Sequence, residues 1–120
     1  MEATNDNRKY ERYLVGPHLD CKVRVRHPEE LVADLSDISE GGMMVLLSRN
    51  EDIDALHPPL EIEAEIVSEN TALQFAFRGR IVWKREFNEG RKAFASLGIE
   101  FSPGVKLPRT MIDAVAEEPA

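Results

Sequence analysis

Arg8 and Arg12, in the polar stretch "RKYER", stand four residues apart. Downstream, "DLSDISEGG" (34–42) sets Asp37, Ser39 and Gly42 in a D-x-S-x-x-G spacing, with Gly41 beside the last glycine. These residue types suit recognition of an anionic ligand that carries bases. An arginine fork donates two parallel hydrogen bonds, which fits a phosphate or the O6/N7 edge of guanine. A spacing of four puts both guanidiniums on one side of the chain, on adjacent turns of a helix or about 13 Å apart in an extended strand. A carboxylate such as Asp37 accepts from the N1–H and N2–H₂ edge of a guanine, and the Ser39 hydroxyl accepts from or donates to a phosphate or a base atom. Glycine at 42 lets a ligand reach the backbone without meeting a Cβ. Each stretch also has a plainer reading: a solvated charged tail for "RKYER", a hairpin corner for "DLSDISEGG". A turn uses about two to four such residues, and this segment spends more.

Other chemistry has little to work with. His18, His27 and His57 are scattered through strand ends and loops, with no Cys or carboxylate at metal-ligand spacing. Asp52 and Asp54 in "NEDID" resemble the start of a calcium loop, but the glycine and closing glutamate of that loop are missing. No strand–glycine loop–helix unit offers a phosphate cradle. Ser, His and Asp fall in no nucleophile context, so no catalytic role, metal or cofactor is expected. The one cysteine, Cys21, has no partner for an internal disulfide and reads as a small core residue in a reducing compartment.

The composition sets outer bounds. At 120 residues the chain is one domain, with 42% hydrophobic and 31% charged residues, as in an ordinary globular protein. A net charge of −7 gives no general attraction to duplex DNA or to anionic membranes, so a phosphate site must be built locally. No apolar run approaches the roughly 18 residues of a membrane span, and "MEATNDNRKYER" lacks the apolar core of a signal peptide. A cytoplasmic protein is expected, with no membrane insertion.

The elements that must position these residues are strands. "CKVRVR" (21–26) alternates Cys21, Val23 and Val25 against Lys22, Arg24 and Arg26. "LVADLS" puts Leu31, Ala33 and Leu35 on one side, and "MMVLLS" is short and apolar throughout. "LEIEAEIV" (60–67) sets Ile62, Ala64 and Ile66 inward against three glutamates. "ALQFAFRGRIVW" (72–83) puts Leu73, Phe75, Phe77, Ile81 and Trp83 on one face, which assigns the aromatics to the core. "KREFNEGRK" reads as a charged hairpin connection, and "AFASLGIEF" (93–101) as a last strand. Six strands joined by turn signals imply an antiparallel sheet that closes or folds over. After Pro108, Met111 and Val115 continue an i, i+4, i+8 pattern begun at Leu107, predicting one short amphipathic helix over the open end of the sheet.

Taken together, the motifs are more specific than either alone. "RKYER" followed by "DISEGG", with a hairpin's worth of strand between them, resembles the PilZ domain family, whose pattern is RxxxR before the first strand and [D/N]xSxxG between the second and third. "CKVRVR", "GRIVW" and "LGIEF" resemble that family's first, fifth and sixth strands, so the likeness covers roughly residues 8 to 116. The resemblance implies an all-β fold: a six-stranded antiparallel β-barrel with a short C-terminal α-helix. It divides the chain into a flexible arm, residues 1–13, and a single barrel domain, residues 14–118. It also implies binding of the bacterial second messenger cyclic di-GMP. Arg8 and Arg12 would then grip phosphates and guanine Hoogsteen edges, while Asp37, Ser39, Gly41 and Gly42 hold a guanine and its neighbouring backbone.

On this reading the protein is a receptor without enzymatic activity. The messenger orders the arm, and a separate effector protein reads the change, with the receptor a monomer or a homodimer. Two other classes remain: a PilZ-like adaptor that works without ligand, and a small β-barrel for single-stranded nucleic acid. The second needs a basic groove with stacking aromatics. The net charge and the assignment of the aromatics to the core both oppose it, so no nucleic-acid polymer is expected as a partner.

Overall fold

Strict alternation in "CKVRVR" places Cys21, Val23 and Val25 in the core and leaves Arg24 and Arg26 in solvent. The same rule builds most of the barrel wall. The computed structural model describes residues 12–16, 19–48, 56–68 and 72–119, so Arg8, most of the predicted arm and the "NEDID" loop lie outside the described residues. Within them the strands are β1 (Tyr13–Val15), β2 (Cys21–His27), β3 (Leu31–Ile38), β4 (Gly42–Ser48), β5 (Leu60–Ser68), β6 (Gln74–Glu89), β7 (Lys92–Phe101) and β8 (Ala116–Pro119). One helix, α1 (Arg109–Val115), precedes β8.

Every pairing is antiparallel. Following hydrogen bonds from β2 through β5, β6, β7, β4 and β3 returns to β2, which closes a six-stranded barrel. Closure pairs each wall strand on both sides within the ring, where an open sheet would present edges. β3 is shared along its length. Leu31 to Asp34 pair with β2, and Asp37 and Ile38 pair with β1. β8 then adds to the outer side of β1, so the N-terminal strand lies between the barrel and the C-terminal strand.

The core is a single apolar cluster in which Val23, Ile38, Met43, Val45, Ile66, Ile81 and Leu97 are almost wholly buried. Fully burying a side chain of this size contributes about 1.5–3 kcal/mol. α1 has no side-chain N-cap and only seven residues, too few for a helix to be stable in isolation. Its Met111, Ile112 and Val115, together with Leu107, join the same core, and that packing holds it.

Three details depart from the alternation pattern. Trp83, expected in the core, is 37% exposed on the outer face. "KREFNEGRK" is mostly strand: β6 continues to Glu89, β7 begins at Lys92, and only Gly90 and Arg91 make the turn. Met44 and Leu46 in β4 are half-buried on the outside, while Met43, Val45 and Leu47 fill the core.

Candidate functional site

Two β-bulges shape the outer face. In β3 the register slips between Leu35 and Asp37, and in β6 between Ile81 and Trp83. One extra residue in a strand reverses the facing of everything beyond it. Asp37 therefore leaves the side of Leu31, Ala33 and Leu35, and Ile38 takes the core position at zero exposure. Trp83 likewise leaves the side of Phe77 and Ile81. The register then aligns four strands: Asp37 opposes Met44, Met44 opposes Gly98, and Gly98 opposes Trp83. Asp37 and Trp83 end in one transverse row, three strand spacings or about 14 Å apart.

The turn between β3 and β4 is braced by Ser39. Its hydroxyl accepts from the backbone N–H of Gly41 and of Gly42, each at 3.2 Å, and its own N–H donates to the Gly42 carbonyl at 2.9 Å. Ser39 is buried, so the hydroxyl expected to reach a ligand is occupied within the turn. The Gly41 carbonyl accepts from Phe101 N–H at 2.9 Å, and the Glu40 carbonyl accepts from Leu107 N–H at 3.3 Å. The turn is thus tied to β7 and to the segment leading into α1. Gly42 is needed for packing: a Cβ there would collide with the Ile99 carbonyl oxygen on the neighbouring β7.

Arg12 reaches the hairpin from the start of the chain. Its Nη1 donates to Asp37 Oδ1 at 3.1 Å, and both side chains are largely shielded from solvent. β1 fixes the approach, since Leu14 opposes Asp37 in the β1–β3 ladder. Behind it, Arg109 of α1 donates from Nη1 to the Tyr13 hydroxyl at 3.2 Å and lies 5.2 Å from the ring centre.

In front of these residues a groove of about 1040 Å³ runs over the barrel surface. Arg12 and the Ser39–Gly42 turn form one wall; Arg80, Val82 and Trp83 form the other, with Gly98 and Glu100 between them. Asp37 lies behind Arg12. Trp83 rests flat on Gly98, where a Cβ would collide with the indole. The remaining groove charges are mixed: Arg80 donates to Glu100 at 3.1 Å, Lys106 lines one end, and Glu40 and Glu61 contribute carboxylates. Among the described residues, no group of three His, Cys, Asp or Glu side chains is arranged to hold a metal ion.

The PilZ domain family model matches residues 6–115. The chain belongs to the PilZ domain family. Solved structures agree on the fold. The complex of K. pneumonia MrkH with c-di-GMP aligns with a TM-score of 0.68 at 16% identity, covering 81% of this chain and 45% of that one. Borreliella burgdorferi PlzA, also solved with c-di-GMP, gives 0.64 at 13% identity, covering 87% and 48%. The PilZ domain of Escherichia coli YcgR with c-di-GMP gives 0.61 at 22% identity and covers 83% of each chain. The chain therefore spans less than half the length of MrkH or PlzA and most of the YcgR domain. No curated protein matches it significantly.

Within this PilZ domain, Arg12 meets Asp37, and Ser39, Gly41 and Gly42 form the adjoining turn. Arg8 lies outside the described residues. Trp83 and Arg80 are groove residues that alternation assigned elsewhere or passed over. The signal for Trp83 was present in "IVW", where three consecutive apolar residues break the period of two and mark the bulge.

Proposed function

We propose that this PilZ domain is a receptor for cyclic di-GMP that passes the signal to a separate protein. The observation that carries the reading is the groove itself, with Arg12, backed by its ion-pair partner Asp37, on one wall and Trp83 on the other. The ligand has two phosphates and two guanines. Arg12 complements a phosphate or a Hoogsteen edge, Asp37 the N1–H/N2–H₂ edge, and the exposed Trp83 face a stacked base. Ser39, Gly41 and Gly42 serve by holding the turn in shape. Solved structures of MrkH, PlzA and YcgR with c-di-GMP support the assignment.

Calorimetric titration with cyclic di-GMP, followed by competition with cyclic di-AMP, tests the reading. Adenine lacks the O6 acceptor and the N2 donor, and each bond left unmade costs about 1–3 kcal/mol. Preference for the guanine dinucleotide by at least about tenfold is expected. Equal binding of the two, or binding of neither, contradicts the proposal.

The arm closes the site in this reading. "MEATNDNRKYER" has little apolar content; Asp37 holds Arg12, and Arg8 is drawn across the groove when an anion bridges arm and hairpin. Bound cyclic di-GMP should therefore slow tryptic cleavage after Arg8, Lys9 and Arg12. An unchanged cleavage rate removes the arm from the site.

A further inference from the structure

β6 is 16 residues long, but its ladder with β5 ends where Leu60 opposes Ile81. From Val82 to Glu89, about 26 Å of strand, β6 pairs only with β7 among the described residues. Residues 85–92 are all exposed. On the outer face Phe87 stacks on Phe94 with ring centres 5.6 Å apart, and Phe87 remains 37% exposed. A long edge with an open aromatic ring is a template for another strand.

The backbone sets which amides are offered. Gly90, with φ of 63°, and Arg91 form a two-residue turn, and glycine in the first turn position is the type II′ pattern. In such a hairpin the closing pair, Glu89 and Lys92, exchanges both backbone hydrogen bonds, and bonded pairs then alternate along the ladder. The amides of 85, 87 and 89 face β7, and those of 84, 86 and 88 face the edge.

We propose that this edge is a homodimer interface, in which β6 of two copies pair antiparallel about a two-fold axis through Phe87. Only residues with edge-facing amides can bond to one another, which limits where the axis can fall. An axis at Lys84, Arg85 or Glu86 sets that residue against its own copy, a direct like-charge pair. An axis at Asn88 sets Arg85 against Arg91 of the second copy. The axis at Phe87 opposes no like charges. There Arg85 meets Glu89 of the second copy on both sides of the axis, and Glu86 meets Asn88. The two Phe87 rings meet at the centre and extend the Phe87–Phe94 stack into a four-ring ladder. Aromatic and opposite-charge cross-strand pairs are the contacts that stabilise a sheet. A closed two-fold pairing also uses the edge up, so it does not propagate. One strand pair buries less than the roughly 1,200–2,000 Å² of a stable interface, so a dissociation constant in the micromolar range is expected.

Sedimentation velocity across about 10 μM to 1 mM protein reads the equilibrium. The wild-type chain should pass from monomer to dimer. Arg85→Glu and Glu89→Arg should each weaken the dimer at least about tenfold, because each places two like-charge pairs in the interface. The double variant Arg85→Glu/Glu89→Arg should restore it. Asn88→Pro removes one edge N–H while leaving the bonds to β7 intact, so it should melt like the wild type and stay monomeric. A wild-type chain that remains monomeric throughout, single reversals that leave the dimer unchanged, or a double reversal that fails to restore it each overturn the proposal. Arg85 and Glu89 lie outside the groove, so the outcome does not depend on whether cyclic di-GMP binds.

Discussion

Arg12 and Asp37 are 25 residues apart in sequence and 3.1 Å apart in space, joined guanidinium to carboxylate where the N-terminal strand meets the barrel. A guanidinium has five N–H donors. Arg12 can keep one bond to Asp37 and still turn the others toward the groove. The carboxylate thus has two tasks in the proposed site: it reads a guanine edge, and it holds Arg12 in position.

This coupling has a measurable signature. Arg12→Ala and Asp37→Ala should each weaken cyclic di-GMP binding by about 10- to 100-fold, the loss of a charge-assisted hydrogen bond worth roughly 1.5–3 kcal/mol. Stability should also fall, by about 1–3 kcal/mol, because each single change takes a hydrogen-bond partner from a side chain that is largely shielded from water. The double variant should lose less than the two single losses added together, since the second change removes a bond already broken. Calorimetry and urea unfolding on all four proteins close the cycle. Strict additivity in binding would separate the two residues.

Trp83 is the only tryptophan in the chain, so its fluorescence reports the groove directly. A guanine stacked on the indole should quench the emission in a saturable titration. Base–aromatic stacking is worth about 1–3 kcal/mol per base, so Trp83→Ala should weaken binding roughly 5- to 100-fold, with Trp83→Phe between that and wild type. Gly98→Ala should mimic part of this loss, because its new methyl group lifts the indole off its seat. Ligand saturation detected by calorimetry with no change in emission would remove Trp83 from the site.

The barrel wall was legible because each wall strand has one wet and one dry face, and alternation records that difference. Ile62, Ala64 and Ile66 in β5, and Val23 and Val25 in β2, lie where their period placed them. Legibility failed where that asymmetry ends. The far half of β6 projects beyond β5 with both faces near solvent from Arg85 onward, so Arg85 to Glu89 carry no alternation and read as a loop. β1 and β8 are three and four residues long, too short to show a period, and depend on each other and on β3 for their pairing. The bulges at Ser36 and Val82 matter most to the site. They turn Asp37 and Trp83 outward, and a motif gives residue types without giving the face they occupy. The spacing to Ser39 and Gly42 marks Asp37 in the sequence, whereas the apolar run around Trp83 groups it with the core residues.

Gly42→Ala should damage the barrel before it damages the chemistry. The added Cβ meets the Ile99 carbonyl oxygen, which belongs to the β4–β7 ladder and cannot swing aside as a side chain could. Overpacking of this kind costs about 1–3 kcal/mol. A fall in the urea midpoint of that size is expected, with weaker binding following from the displaced turn. An unchanged midpoint would mean that β7 yields without cost, leaving the glycine's role to ligand contact.

Glu65 sets the expected response to acid. It sits on the outside of β5, yet only 4% of it is exposed, because Arg24, Arg26 and Gln74 cover it. The hydrogen bond from Gln74 Nε2, 2.7 Å long, and then the bonds from Arg26 hold its carboxyl below the usual carboxylate range. A depressed folded-state pKa means that the unfolded chain takes up a proton first as the pH falls. The contribution of Glu65 to stability is therefore full above the unfolded value of about 4.3 and drains away as the pH drops through the lower folded value. Glu65→Gln removes the charge at every pH. Urea unfolding at pH 7 should show the variant less stable than wild type, because two arginines then lack their carboxylate. The gap should narrow steadily below about pH 4 and close once wild-type Glu65 is itself protonated. A gap that stays constant from pH 7 to pH 3 would mean that Glu65 acts through packing and its bond to Gln74, with its charge contributing nothing.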